Sequence, residues 1–179
     1  APRFTADGCY LLFERLAAQP NSRREIWGVT LSGDRKAFPV IQSEYDVYAP
    51  ALSPDGKWLA YESRESGRPE ICVIPFLHGT GKWEVSTAGG VQPRWRRDGR
   101  ELFYISTDNK IMSAEITEQG SSLLIGKVRS LFQVNPVPFA GGSNYDVTSD
   151  GKKFVVASLA SSQGSEPLTV VVNWTTLLK

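Results

Sequence analysis

The sequence predicts an all-β fold built from four copies of one antiparallel unit. The first indication is the dipeptide Asp-Gly, which occurs at positions 7–8, 55–56, 98–99 and 150–151, at intervals of 48, 43 and 52 residues. Asp-Gly between two apolar runs favours a tight hairpin turn, because glycine adopts positive φ and aspartate hydrogen-bonds the turn backbone. Repeats of about 40–50 residues are typical of the blades of a β-propeller. The spacing therefore predicts four blades, each organised around one hairpin.

Apolar residues recur at matching positions around each Asp-Gly turn. Three consecutive columns follow the turn: Leu11, Leu59, Leu102 and Phe154; then Leu12, Ala60, Phe103 and Val155; then Phe13, Tyr61, Tyr104 and Val156. One further column precedes the turn: Phe4, Leu52, Trp95 and Val147. Three apolar residues in a row predict a strand buried on both faces, as in blades packed face to face. We therefore expect these columns to be buried between blades, Leu59, Tyr61, Trp95 and Phe103 in particular.

Each copy continues with a third strand, and three copies continue with a fourth. Third strands are predicted from Glu25, Glu70, Lys110 and Leu168, and fourth strands at 36–41, 82–86 and 127–133. The chain is expected to be a single domain with blades at about 1–42, 43–87, 88–133 and 134–179. The alternative fold is a β-sandwich, which does not require aligned columns at blade spacing.

The fourth copy shows only three strands, at 145–148, 153–158 and 168–173, so its outer strand is missing. The chain also begins with alanine, which suggests a piece of a longer protein. We therefore expect four blades of a larger ring, forming an open half-ring. Unpaired edges and apolar faces favour pairing with another copy, so self-association through the end blades is expected, for example as a dimer. The competing outcome is a closed four-bladed ring.

Composition and motifs exclude several functional classes. The net charge of +1 gives no bulk attraction to nucleic acid, and no apolar run reaches transmembrane length. Cys9 and Cys72 fall in different blades and are expected to be free thiols, with a disulfide as the alternative. The single histidine, His78, lies in a glycine-flanked turn where a solvated side chain is expected. No hydrolase elbow, zinc spacing or complete phosphate loop is present, so we predict no enzyme activity, no metal and no cofactor.

One basic segment stands out as a candidate binding site. Arg94, Arg96, Arg97 and Arg100 surround Trp95, and strand alternation places Arg94 and Arg96 on the side opposite to Trp95. The innermost strands of a propeller line its central channel. At aligned positions the other copies carry Arg3 and Asp146. We therefore predict a site for an anion or an acidic peptide at the channel mouth, formed by Arg3, Arg94, Arg96 and Asp146. The alternative is a solvated turn with ion pairs to Asp146 or Glu101.

Residues 53–63, which read Ser-Pro-Asp-Gly-Lys followed by an apolar strand ending in serine, resemble the TolB-like, WD-like propeller repeat. Residues 5–8, 96–100 and 148–152 match the same repeat more loosely. The stretch Pro167–Lys179 is similar to the end of propeller domains on bacterial receptor-type serine/threonine kinases, although kinase motifs are absent. The resemblance implies a periplasmic or extracellular propeller that is part of a larger bacterial protein.

Two functions from different classes are consistent with these features. The first is a non-catalytic binding or sensor module that engages a protein or small ligand at one face of the ring. The alternative, implied by a similar repeat in prolyl-oligopeptidase-like peptidases, is an accessory propeller that gates a hydrolase domain. A hydrolase normally follows its propeller, and this chain ends in what resembles a natural C-terminus, so the first function is favoured.

Overall fold

Short β-strands make up the whole of the described fold. The computed structural model describes residues 3–5, 8–17, 23–137 and 143–158, together with the backbone of 168–172. Their strands are β1 (Arg3–Phe4), β2 (Tyr10–Leu16), β3 (Arg24–Thr30), β4 (Ala37–Ile41), β5 (Val47–Leu52), β6 (Trp58–Ser63), β7 (Glu70–Pro75), β8 (Trp83–Glu84), β9 (Gly90–Trp95), β10 (Glu101–Ser106), β11 (Lys110–Gln119), β12 (Ser122–Gln133), β13 (Tyr145–Val147), β14 (Lys153–Ala157) and β15 (Leu168–Val172).

The strands form four antiparallel sheets, which confirms a β-propeller with four blades. The sheet orders are β1-β2-β3-β4, β5-β6-β7-β8, β9-β10-β11-β12 and β13-β14-β15. Strands that follow each other in sequence pair with each other, so each blade is a meander that begins at its inner strand. The predicted third and fourth strands are present. The last sheet has three strands among the described residues, and residues 173–179 lie outside them.

Each Asp-Gly turn closes the hairpin between the first two strands of its blade, as predicted. The glycines of the four turns, Gly8, Gly56, Gly99 and Gly151, have φ of 68°, 76°, 72° and 72°. In the second blade the Ser53 hydroxyl accepts the N–H of Trp58 at 2.9 Å and donates to the Asp55 carboxylate at 2.5 Å. Thr148 makes the equivalent bonds in the fourth blade. Asp7, of the first turn, lies outside the described residues.

Replacing Gly56 by valine is expected to lower the free energy of unfolding by roughly 1–3 kcal/mol. A Cβ at this position meets nothing within 4 Å, so the loss would come from the backbone alone, whose φ of 76° a β-branched residue strongly avoids. Gly56→Asn is the matched control, because asparagine tolerates this region and should lose less. Urea unfolding of the three proteins measures the difference. Equal stability of the valine variant and the wild type would contradict the turn assignment.

The apolar columns face alternate neighbours. Residues of the first and third columns face the preceding blade, so that Leu59 and Tyr61 pack with Leu12 of the first blade. Residues of the second column face the following blade, and Phe103 packs on Phe154 with ring centroids 5.1 Å apart. Of the residues singled out as core, Leu59, Tyr61 and Phe103 are buried and Trp95 is half-buried. The second strand of each middle blade, β6 or β10, is therefore covered on both faces.

The end blades depart from the prediction that every column is buried. Phe4 belongs to a column that faces the preceding blade, and it is 73% exposed. Val155 belongs to the column that faces the following blade, and it is 43% exposed. The expectation was wrong at these two positions because, among the described residues, no blade lies against these two faces. The exposure of these two outer faces favours the half-ring over the closed four-bladed ring. Self-association through the end blades stays a prediction that light scattering can test.

Candidate functional site

The inner strands bring three of the four predicted site residues together. Arg3 of β1, Arg94 of β9 and Asp146 of β13 hold equivalent positions in three blades. Burial lowers the pKa of Arg3, and the nearby negative charge of Asp146 opposes that change. The pKa of Arg94 responds to both Arg3 and Asp146. The three residues are therefore close enough for their charges to influence one another.

Arg94 is the buried member of this group, with 7% of its surface exposed. Its Nη1 donates to the carbonyl of Pro93 at 2.7 Å, and its Cζ lies 5.8 Å from the centre of the Tyr145 ring. Its Nε has no hydrogen-bond partner among the described residues. Burial first, and the positive charge of Arg3 second, lower the pKa of Arg94 to about 10. A guanidinium with most of its donors unused is suited to an anionic acceptor.

Glu62, near the end of β6, is a member of the site that the sequence reasoning missed. Its side chain is buried, and its Oε1 accepts the N–H of Gln92 at 2.8 Å. Burial raises the pKa of Glu62 to about 7, the charge of Glu14 adds to this rise, and the Gln92 N–H and Arg94 oppose it. The charge facing Arg94 therefore changes near neutral pH. We name the group Arg3, Glu62, Arg94 and Asp146 the central cluster.

A repeated hydrogen bond explains why a carboxylate occurs at this position in two blades. Glu14 Oε1 accepts the N–H of Ala49 in the next blade at 2.9 Å, as Glu62 accepts that of Gln92. At the following boundary the Gln92 side-chain oxygen accepts the N–H of Asn144 at 2.7 Å. Ala49 and Gln92 have φ of 49° and 58° and lie where the register of β5 and β9 shifts. These bonds hold successive blades together around the central cluster. The sequence signal was the shared position of Glu14 and Glu62 after the third apolar column.

Arg96, the fourth predicted site residue, does not join the central cluster. It lies at the hairpin turn, where it donates two hydrogen bonds of 2.8 Å to the Asp98 carboxylate and one to Glu101. Glu101 is buried and also accepts from Arg129 at 2.9 Å. For Arg96, the structure therefore agrees with the alternative interpretation, an ion pair with Glu101. Strand alternation placed Arg94 and Arg96 on the same side and could not show that they have different roles.

The described residues contain no grouping that indicates metal binding, since no three or more His, Cys, Asp or Glu side chains converge there. His78 is exposed in its turn, as expected. Cys9 is exposed and Cys72 is buried, and they form no disulfide with each other, also as expected. None of the described residues belongs to a helix that is long and apolar enough to cross a membrane.

The fold and its inner-strand site define a β-propeller, and comparison with solved structures agrees. TolB from Acinetobacter baumannii superposes with a TM-score of 0.69 and 20% identity, over 97% of this chain and 40% of that chain. A puromycin-hydrolyzing peptidase from Mycobacterium tuberculosis gives a TM-score of 0.62 and 21% identity, over 87% of this chain and 27% of that chain. These similarities confirm the predicted TolB-like propeller fold. No family model matches the chain.

One curated relative is similar in sequence over part of the chain. Tricorn protease homolog 1 from Streptomyces coelicolor is 33% identical over 81 residues, which cover 44% of this chain and 7% of that protein. The chain spans less than half the length of each of the three proteins. Two of the three names denote proteolytic enzymes, so the comparisons do not separate a binding propeller from a propeller attached to a hydrolase. The similarity to kinase propellers concerns residues 167–179, of which only the backbone of 168–172 is described.

Proposed function

We propose that this chain is a non-catalytic binding module that engages an anionic group of a protein or small ligand at one face of its ring. The blades supply the scaffold, and each of the four blades contributes one charged residue to the central cluster. Following the TolB-like resemblance, we place the module in the periplasm or outside the cell, within a larger bacterial protein.

The state of Arg94 is the observation that supports this proposal most strongly. Buried polar groups in proteins are nearly always hydrogen-bonded, yet within the described part of the chain the Arg94 side chain makes one hydrogen bond, to Pro93. A carboxylate placed against the guanidinium would form a charge-assisted pair, and Arg3 would add a second positive charge. The exposed carboxylate of Asp146 would favour ligands that also present an N–H or ammonium group.

The Arg94 Nε–H resonance offers a direct test by NMR. The capped tripeptide Ala-Glu-Ala should shift this resonance saturably at low salt, and the shift should weaken with added salt because the charges are screened. The Ala-Gln-Ala counterpart should leave it unchanged. Arg94→Lys should weaken binding of the glutamate peptide roughly tenfold, since lysine loses the planar donor fork.

Arg23→Lys is the matched control for this test, because Arg23 is exposed and lies outside the cluster. This variant should bind the peptide like the wild type. Equal binding of the glutamine peptide, or full binding by the Arg94 variant, would show that the central cluster serves only to hold the blades together.

The similarity to two proteolytic enzymes favours one alternative, an accessory propeller that gates a hydrolase domain. The central cluster would then contact a peptide substrate before it enters the catalytic site of that hydrolase domain. Hydrolysis of peptide p-nitroanilides by the purified chain, abolished by a single substitution, would contradict the non-catalytic proposal. A hydrolase domain encoded beside this chain in its gene would favour the alternative, and a membrane segment with a kinase would favour the binding module.

A further inference from the structure

A groove between the second and third blades contains two of the three arginines of the basic segment that do not belong to the central cluster. It encloses about 740 Å³ and lies between the two Asp-Gly turns and the outer part of β11. Its apolar lining consists of half-buried Pro54 and the nearly buried Trp58 and Ile116, and Arg97 and Arg100 line it from the third blade. We name it the turn groove. None of its lining residues belongs to the central cluster.

Three carboxylates also line the turn groove, and each is already bound within the protein. Glu118 accepts the indole N–H of Trp58 at 2.7 Å and the Lys57 ammonium at 2.9 Å. Asp55 pairs with the same lysine at 3.1 Å. Asp98 accepts both hydrogen bonds from Arg96, which lower the pKa of Asp98. These carboxylates therefore have charged partners of their own.

Arg97 and Arg100 are exposed, as the three carboxylates are, but unlike them they form no ion pair with any described residue. Their backbone is nevertheless fixed. The Arg97 N–H donates to the Ser149 carbonyl at 3.3 Å, and the Arg100 carbonyl accepts the N–H of Ile116 at 2.9 Å. Two guanidiniums are thus held at the groove without an ion pair among the described residues, although the charge of Arg100 helps to lower the pKa of Asp98.

We infer that the turn groove binds an acidic segment of a protein partner. An aspartate or glutamate side chain would pair with Arg97 and Arg100, because guanidinium groups bind carboxylates in a bidentate manner. A neighbouring apolar side chain would cover half-buried Pro54. The volume lies within the range of about 300–1,000 Å³ that is usual for ligand pockets, and it exceeds what a single carboxylate fills.

The Trp58 indole N–H resonance tests this inference, because it reports from inside the groove and is assigned by its loss in Trp58→Phe. The capped hexapeptide Gly-Asp-Phe-Glu-Leu-Gly should shift it saturably at low salt. The double variant Arg97→Ala/Arg100→Ala should weaken binding roughly tenfold or more. Arg23→Ala/Lys127→Ala removes two exposed positive charges elsewhere and should bind like the wild type. Arg94→Lys should also bind normally at this groove.

Each other outcome overturns the inference in a distinguishable way. An unperturbed Trp58 signal, or full binding by the Arg97/Arg100 double variant, would show that the groove does not take the acidic peptide. Binding lost only in Arg94→Lys would assign the peptide to the central cluster. Shifts produced equally by acetate would indicate a site for simple anions. Shifts produced equally by Gly-Asn-Phe-Gln-Leu-Gly would show that the arginines do not select charge.

Discussion

Replacing Phe103 by alanine should lower the free energy of unfolding by about 3–5 kcal/mol, since it deletes a large side chain at a fully covered position. The ring has no exposed surface, and it meets the Phe154 ring edge-on at 5.1 Å and 87°. Phe154 in turn contacts Phe132 at 5.3 Å. The cavity would therefore open at the boundary between the third and fourth blades. Urea unfolding followed by tryptophan fluorescence measures the loss.

Phe4→Ala is the matched control, because it is the same chemical change at a ring that is 73% exposed. Surface substitutions usually change stability by about 0.5 kcal/mol or less, so little loss is expected. A loss at Phe4 comparable to that at Phe103 would mean that another surface covers the first blade in solution. In that case the loss should grow with protein concentration if the surface belongs to a second copy.

The repeat made the fold predictable because each blade requires the same hairpin turn and the same buried strand. A turn that requires glycine at positive φ and a strand buried on both faces leave the same pattern four times in the sequence. What the columns could not show is whether a neighbour is present on the side that each column faces. Phe4 and Leu52 are aligned and equally apolar, yet only Leu52 packs against a preceding blade.

The candidate site was predictable only in part, for a different physical reason. Alignment of the inner strands placed Arg3, Arg94 and Asp146 at one level of the ring, and the structure brings them together. Alignment could not show which arginine has a local partner. Arg96 has Asp98 two residues away and Glu101 on the next strand, whereas Arg94 has Pro93 and an aromatic ring. Glu62 was missed because its acceptor role depends on a left-handed residue in the next blade, which no sequence column records.

The hydrogen bonds of Gln92 connect neighbouring blades and also involve Glu62, a charged residue of the central cluster. Gln92 accepts from Asn144 through its side chain and from the Tyr145 hydroxyl, at 2.9 Å, through its carbonyl. Its own N–H is held by Glu62. A change in the protonation of Glu62 is therefore expected to affect β9, which carries Arg94, and the hydrogen bonds of Gln92 to the fourth blade. Stability and anion binding are expected to depend on pH through this one carboxyl.

Replacing Glu62 by glutamine should remove a fall in stability that the wild type shows as the pH rises. Burial raises the pKa of Glu62 from its ordinary value of 4.5 to about 7, so between these values the folded protein keeps a proton that the unfolded chain has released. The stabilisation from this carboxyl is complete below its pKa in the unfolded chain and is lost as the pH rises through its pKa in the folded protein. Its contribution to the free energy of unfolding is at most about 3 kcal/mol. Glutamine still accepts the Gln92 N–H but carries no charge.

The stability difference between Glu62→Gln and the wild type should therefore move in favour of the variant from about pH 4 to about pH 8, and level off above that range. Urea unfolding across this range measures it. Asp150→Asn is a control of opposite sign, because hydrogen bonds from Thr148 and the Lys152 N–H lower the pKa of Asp150. Its loss relative to the wild type should be present at neutral pH and shrink only in acid. A constant difference between Glu62→Gln and the wild type across the range would mean that Glu62 is charged throughout in the folded protein, and that Arg94 faces a permanent counterion.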